Sequence, residues 1–229
     1  MKAQWITGLV AAIVAVGAFG SAGQAAVITY DVVVVGSAQV DAGDSNVVFE
    51  VYADIQNDDS DNTNDGFMMG FLNIVDTGSL LGDLSFNLDM WTKYTGSSTG
   101  KVQDLDADGD NDLGSLDSNI PGDYVNPIAL IFPGSVPMGG GDYVKLGWGT
   151  WHMTDASPAV GETTDMEIVP LVLSDPLPHR VKSDGNDVSL DGSGPLVDTT
   201  SFRITYVPEP MTLGLLAVGG LALLRRRRR

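Results

Sequence analysis

The stretch Asp104-Leu105-Asp106-Ala107-Asp108-Gly109-Asp110-Asn111-Asp112 places five carboxylates within nine residues, at every second position, with glycine at the sixth. Alternate carboxylates on a tightening turn can point at one centre, and the glycine permits the reversal that brings the chain round. Such a loop offers oxygen ligation of a hard cation, calcium above all. Asp104, Asp106 and Asp108 are expected as direct ligands, Asp110 through its backbone carbonyl, and Asp112 directly or through water. Five carboxylates this close repel one another strongly without a cation, which favours a bound ion over a solvated acidic loop.

The loop departs from an EF-hand. Position 12 is Ser115 where a bidentate Glu is expected, position 8 is Asn111 where an apolar residue packs, and no helical pattern flanks it. It resembles the isolated calcium loops of extracellular β-proteins, dockerin-like and thrombospondin-like, with Asp117 as a candidate for the missing carboxylate. Affinity there is typically ~10⁻⁴ to 10⁻³ M, suited to a structural ion. Asp61, Thr63, Asp65 and Gly66 repeat the spacing more weakly inside an acidic stretch at 57–66, which reads either as a second metal loop or as a solvated hairpin loop. The polar clusters at 184–187 and 191–192 read as turns.

Catalytic patterns are weaker. Gly96-Ser97-Ser98-Thr99-Gly100 has the letters of a nucleophile elbow, but that device needs a strand before it and a helix after it, and a calcium-type loop follows instead. His152 and His179 are the only histidines, without zinc-ligand spacing, and both read as surface or turn residues. The chain has no cysteine, which removes disulfides, thiolate nucleophiles and thiolate metal sites. Carboxylate pairs for glycoside hydrolysis stay open through Glu50, Glu162, Glu167 and the many aspartates.

The elements that must position the loop read as strands. Short runs of Val, Ile, Phe, Tyr and Thr are separated by Gly, Asp, Asn, Ser and Pro, and almost nothing repeats at helical period. The clearest strand is 47–55, where Val47, Phe49, Val51, Ala53 and Ile55 alternate with Val48, Glu50, Tyr52 and Asp54. Further strands are expected at 27–35, 67–75, 143–151, 166–173 and 201–207, with weaker ones at 80–88 and 128–132. This predicts an all-β domain, an antiparallel β-sandwich of jelly-roll or immunoglobulin-like type, with a closed barrel as the alternative. Trp148 and Phe202 are expected in the core beside Phe49 and Leu146. Trp91, Tyr94, Trp151 and Tyr124 fall near strand ends or loops, where they could build a platform for sugars.

Both ends read as addresses rather than fold. Lys2, an apolar stretch from Trp5 to Phe19 and small residues up to Ala26 have the layout of a secretory signal peptide cleaved near Ala25 or Ala26. At the other end stand Val207, Pro208, Glu209 and Pro210, an apolar run from Met211 to Leu224, and Arg225, Arg226, Arg227, Arg228 and Arg229. Proline keeps the backbone extended ahead of the run. Fourteen residues at ~1.5 Å each make roughly 21 Å of helix, short of the ~30 Å hydrocarbon core, so the arginine stems must snorkel. Clustered arginines favour the cytoplasmic side and leave the preceding chain outside.

Box, apolar stretch and basic cluster in this order resemble the PEP-CTERM sorting signal of bacterial surface proteins. The resemblance covers the tail alone and concerns routing, with an ordinary tail anchor as the plainer alternative. It implies an exosortase, a membrane-embedded transpeptidase-like enzyme, as the partner that removes the tail and releases or re-anchors the product. It also implies exopolysaccharide, and hence a biofilm matrix, as surroundings. The expected organisation is a signal peptide at 1–25, an extracellular domain at 26–206 and a sorting tail with a transmembrane helix at 207–229.

The exported body holds twenty-six Asp and three Glu against six basic residues, a net charge of −23. That field repels nucleic acid and anionic membranes and attracts cations, which excludes DNA binding. Two function classes remain. One is a non-catalytic cell-surface or extracellular-matrix protein with a structural calcium ion and exopolysaccharide association. The other is a secreted carbohydrate-binding module or glycoside-active enzyme. Exposed aromatics on one sheet face or rim would favour the binding module, and a cleft with two facing carboxylates the enzyme.

Overall fold

The structure, a computed structural model, describes residues 28–55, 66–116, 121–129, 143–172, 178–183, 186–193 and 196–209. The proposed signal peptide, the apolar run 211–224, Pro210 and the five terminal arginines lie outside these, as do Asp117 and the acidic stretch up to residue 65. Among the described residues no helix is long and apolar enough to cross a membrane.

The described chain is all-β. Its strands are β1 (Ile28–Val35), β2 (Gln39–Val40), β3 (Asn46–Ile55), β4 (Gly66–Met69), β5 (Leu72–Gly78), β6 (Gly82–Leu88), β7 (Ser98–Thr99) and β8 (Val102–Gln103). They continue as β9 (Asp112–Leu113), β10 (Val125–Asn126), β11 (Tyr143–Met153), β12 (Thr163–Pro170), β13 (His179–Ser183), β14 (Asn186–Leu190), β15 (Val197–Thr199) and β16 (Ser201–Tyr206), with one 3-10 turn at Pro121–Asp123. One sheet runs β15-β1-β3-β11-β6, a second runs β2-β16-β12-β5-β10-β7 with β9 paired to β5 and β8, and a small sheet joins β14-β13-β4. Pairing is antiparallel except β1 with β15 and β16 with β2. Among the described residues neither large sheet closes on itself.

Buried apolar residues of both large sheets, with Phe67 and Val181 of the small one, form a single cluster. Along β3, Val47, Phe49, Val51, Ala53 and Ile55 are all buried, as the alternation predicts. Val32, Leu146 and Trp151 of the first sheet share one apolar cluster with Ile74, Met166, Ile168 and Ile204 of the second. The Phe49 and Phe202 rings, from different sheets, lie 6.4 Å apart. Fully burying an aliphatic or Phe side chain contributes about 1.5–3 kcal/mol, so this shared layer supplies the main cohesion of a chain with no disulfide.

Several expectations need correction. The run 67–75 is two strands, β4 and β5, broken at Gly70, where an added Cβ would stand 2.5 Å from the Tyr30 hydroxyl oxygen. The polar segment around 184–187 is flanked by the antiparallel partners β13 and β14, so Asn186 and Asp187 lie in a strand rather than a turn. The weak strand at 128–132 contributes a single bridge from Ile128 to Met69 within the described residues. Trp148 is not in the core. The register of β11 against β3 slips between Lys145 and Gly147. Before the slip Val144 and Leu146 point inward; after it Gly147, Gly149 and Trp151 do. One extra residue reverses every later side chain, which turns Trp148 out at 41% exposure and Trp151 in at 0%.

Candidate metal centre

The acidic loop is a chain of local turns that its own aspartates hold. Asp104 Oδ1 accepts the Ala107 N–H at 2.6 Å, Asp106 Oδ1 that of Asp108 at 3.2 Å, and Asp108 Oδ1 that of Asp110 at 3.3 Å. Short acidic side chains favour such bonds to backbone a few residues on. The winding needs left-handed backbone at Ala107 (φ +67°) and Gly109 (φ +110°). At Gly109 a Cβ would meet nothing within 4 Å, so the backbone angle and not space calls for glycine. The result gathers Asp104, Asp106 and Asp108, with one oxygen of each within 4.8 Å of the others. Burial, followed by the Asp108 charge, pushes the Asp106 carboxyl up.

Beyond Gly109 the chain turns inward and is clamped between the two large sheets. Asn111 bridges to Asp83 of β6, its amide donates to Asp83 Oδ1 at 2.7 Å, and its carbonyl accepts the Leu84 N–H at 2.9 Å. The next two residues form β9, whose Leu113 pairs with Ile74 of β5 in the other sheet. The loop is therefore fastened to one sheet by Asn111 and to the other by Leu113.

That clamp carries Asp110 and Asp112 into the interior, where they meet a residue the sequence reading missed. Asp76 of β5 is wholly buried, and Asp76, Asp110 and Asp112 form a second group with one oxygen of each within 4.8 Å of the others. The Trp151 indole N–H donates to Asp76 Oδ2 at 2.6 Å across the two sheets. Asp110 Oδ2 accepts the Gly82 N–H at 3.0 Å. Asp112 Oδ1 and Oδ2 accept the N–H groups of Asp76 at 3.0 Å and Leu105 at 2.8 Å. Gly82 must be glycine, because a Cβ there would stand 2.1 Å from Cε2 of Trp151.

Burial is the largest cause of the upward shifts in this group: Asp76 is pushed to about 9, Asp110 to about 7 and Asp112 to about 6. The Trp151 donor opposes the shift at Asp76, and backbone donors oppose it at the other two. Among the described residues no Lys or Arg is ion-paired with either group. Buried carboxylates without cationic partners take up protons or a metal ion.

The five expected ligands are thus split: Asp104, Asp106 and Asp108 stay together, while Asp110 and Asp112 join Asp76. Asp110 contributes a side chain where only its carbonyl was expected. Ser115 is turned to Asn73, which accepts its N–H at 3.0 Å and donates to its carbonyl at 3.2 Å. In hindsight the signal for Asp76 was an acid inside the apolar run of β5, LNIVDTG.

Other expected functional residues fall as follows. His179 is wholly buried, not at the surface: its Nδ1 pairs with the Tyr30 hydroxyl at 2.8 Å and its Nε2 with the Leu171 carbonyl at 2.9 Å. Burial pushes its pKa down to about 4 and that of Tyr30 up. His152 is exposed beside Asn46 and Ser45. Ser98 donates to the Gly122 carbonyl at 2.9 Å from the short strand β7, with no α-helix following it among the described residues. Of the residues expected to form a sorting box, Val207 continues the edge of the second sheet, its N–H donating to the Val40 carbonyl at 2.8 Å.

The four aromatics expected near strand ends or loops are divided. Trp151 and Tyr124 are buried, while Trp91 and Tyr94 are exposed on a loop. A different group stands on the outward face of the first sheet. Tyr52 and Tyr143 stack with ring centroids 4.5 Å apart, and Lys145 Nζ lies 5.6 Å from the Trp148 ring centre. Glu50 joins them by an ion pair with Lys145 and a 2.5 Å bond from the Tyr52 hydroxyl. These bonds hold the Glu50 carboxyl low, and Glu50 pushes the Tyr52 hydroxyl up to about 12.

No protein-family model matches the chain, and no curated protein matches it. Among solved structures it is similar, at 11% identity and a TM-score of 0.32, to one titled "AvmM Catalyzes Macrocyclization in Alchivemycin A Biosynthesis", over 80% of this chain and 89% of that one. A likeness at that distance carries no argument about chemistry.

Proposed function

We propose that this chain is an exported, non-catalytic surface or matrix protein whose two large sheets face each other as a β-sandwich held by calcium. The observation that carries this reading is the position of the acidic loop. Its carboxylates lack cationic partners among the described residues, and its C-terminal end is fastened to one sheet through Asn111 and to the other through Leu113. A cation there stabilises the contact between sheets as well as the loop, replacing the disulfide that an exported domain often uses. In this reading Asp104, Asp106 and Asp108 ligate the ion at the surface and Asp110 and Asp112 support it from below. The signal peptide and the PEP-CTERM-like tail route the chain outward, an exosortase-like enzyme removes the tail, and the acidic product associates with exopolysaccharide.

Fractionation of the native host, with mass spectrometry of the chain termini, tests the routing. The product should lie outside the cytoplasmic membrane, begin near Ala26 and lack the segment after the box. An intact chain dissolved in cytosol contradicts the proposal.

A second reading, a sugar-binding module, is favoured by the face bearing Tyr52, Tyr143 and Trp148, of which Tyr143 is 51% exposed. Flat aromatics amid hydrogen-bonding side chains suit the apolar face of a pyranose. A glycan-array screen in calcium decides it: binding lost in Trp148→Ala with Tyr143→Ala supports this reading, and silence across the array leaves the matrix protein.

A further inference from the structure

Six carboxylates surround β9, and they do not converge on one point. Asp104, Asp106 and Asp108 form one trio and Asp76, Asp110 and Asp112 another, each with oxygens within 4.8 Å of one another. Oxygens bound to one calcium at about 2.3–2.6 Å can stand no more than about 5 Å apart, so each trio spans a single ion.

The deeper trio is more than a cluster of acids. Asp76 is 0% and Asp110 3% exposed, and each keeps one buried oxygen, Oδ1, without a hydrogen-bond donor. Their other oxygens are anchored by Trp151 and Gly82, and Asp112 is anchored at both oxygens by backbone N–H groups. The anchors fix how the three carboxyls face one another and leave Oδ1 of Asp76 and of Asp110 without a donor from any other residue, while the two carboxyls lie within hydrogen-bonding reach of each other, an arrangement that takes a shared proton or a cation between them. Buried acceptors in such a state are uncommon in folded proteins and point to a missing partner.

We propose that Asp76, Asp110 and Asp112 form a second divalent-cation site, buried at the seam of the two large sheets beneath the surface loop. The donors are all oxygen, without histidine or cysteine, which selects a hard cation, calcium in a calcium-rich exterior. Trp151 sets the orientation of Asp76 and ties the ion to the first sheet, while Asp76 belongs to the second. Asp108 Oδ2, also buried without a donor, belongs to the loop trio, so the two ions sit as near neighbours that share the turn from Asp108 to Asp110. This deepens the calcium reading above by giving Asp110 and Asp112 a centre of their own, and the two parts fail separately.

Equilibrium dialysis of the full-length chain in detergent micelles against radioactive calcium provides the test. Wild type should hold two ions per chain. Asp76→Asn should hold one, with at least a tenfold weaker second affinity, and Asp104→Asn with Asp106→Asn should also hold one. Should Asp76→Asn fail to fold, the loop variant decides: an ion that Asp104→Asn with Asp106→Asn still holds is the buried one, whereas no ion in wild type, or none left in that loop variant, overturns the second site. An Asp76→Asn count equal to wild type overturns it too. Loss of the loop ion alone contradicts the calcium loop and leaves the buried site standing.

Discussion

Replacing Trp151 by Phe should destabilise the chain mainly through Asp76. The indole N–H and the Asp76 carboxyl lie 2.6 Å apart, both wholly buried, and they belong to different sheets. A buried acceptor that loses its donor costs about 1–3 kcal/mol. The smaller ring leaves a cavity that costs on the order of 1 kcal/mol more. The sum is about 3 kcal/mol, and at roughly 2–4 °C per kcal/mol for a chain of this size the melting temperature falls by about 6–12 °C. A double-mutant cycle separates the two terms. In an Asp76→Ala background the hydrogen-bond term is already gone, so Trp151→Phe should cost only about 1 kcal/mol, a coupling of about 2 kcal/mol. Calorimetry in chelator keeps any cation from substituting for the lost donor. Equal costs in the two backgrounds would show that the indole and the carboxyl do not interact, and the account of the seam would be wrong.

Three further outcomes follow from the same geometry. His179 has a folded pKa near 4 against an ordinary value of 6.5. The unfolded chain therefore binds the proton first, and the stability that neutral His179 supports is present above about pH 6.5 and is lost as pH falls toward 4. The melting temperature of wild type should drop more steeply over that window than that of His179→Gln, and parallel curves would contradict its burial. Trp148→Ala should change stability by less than about 1 kcal/mol, while Trp151→Ala should cost about 3–5 kcal/mol or prevent folding, as denaturant titration would show. Similar costs for the two would refute the bulge in β11. Without calcium, the raised pKa values of Asp76, Asp110 and Asp112 favour the folded state at acid pH, a benefit that fades as pH rises through about 6 to 9. Calcium should therefore raise the melting temperature more at pH 8 than at pH 5, and an equal rise at both would place the ion elsewhere.

How much was legible in the residues depended on range. The alternation in β3 was readable because one face is buried along its whole length, and period two survives there without interruption. β11 carries the same kind of signal, but a bulge between Lys145 and Gly147 reverses its phase, and nothing in KLGWG announces where the extra residue falls. Trp148 was expected inside for that reason, whereas Trp151 was expected at a strand end because the strand expected from the sequence stops at 151, where β11 runs on to Met153. His179, which follows Pro176 and Pro178, reads as a surface or turn residue because its partners, Tyr30 and Leu171, include one 149 positions away. The acidic loop was found by local spacing. Its division into two trios was not, because Asp76 arrives from β5 by sheet pairing, and Asp110 turns inward only once Asn111 and Leu113 are bound to different sheets.

Scanning calorimetry of the full-length chain in detergent, with calcium and with chelator, tests most directly whether cations hold the two sheets together. With calcium at roughly 10 to 100 times its dissociation constant, one ion contributes about 1.4–2.7 kcal/mol, or roughly 3–10 °C. The account predicts a rise of at least that size in wild type and a clearly smaller one in Asp106→Ala with Asp108→Ala. Superimposable wild-type curves would contradict it.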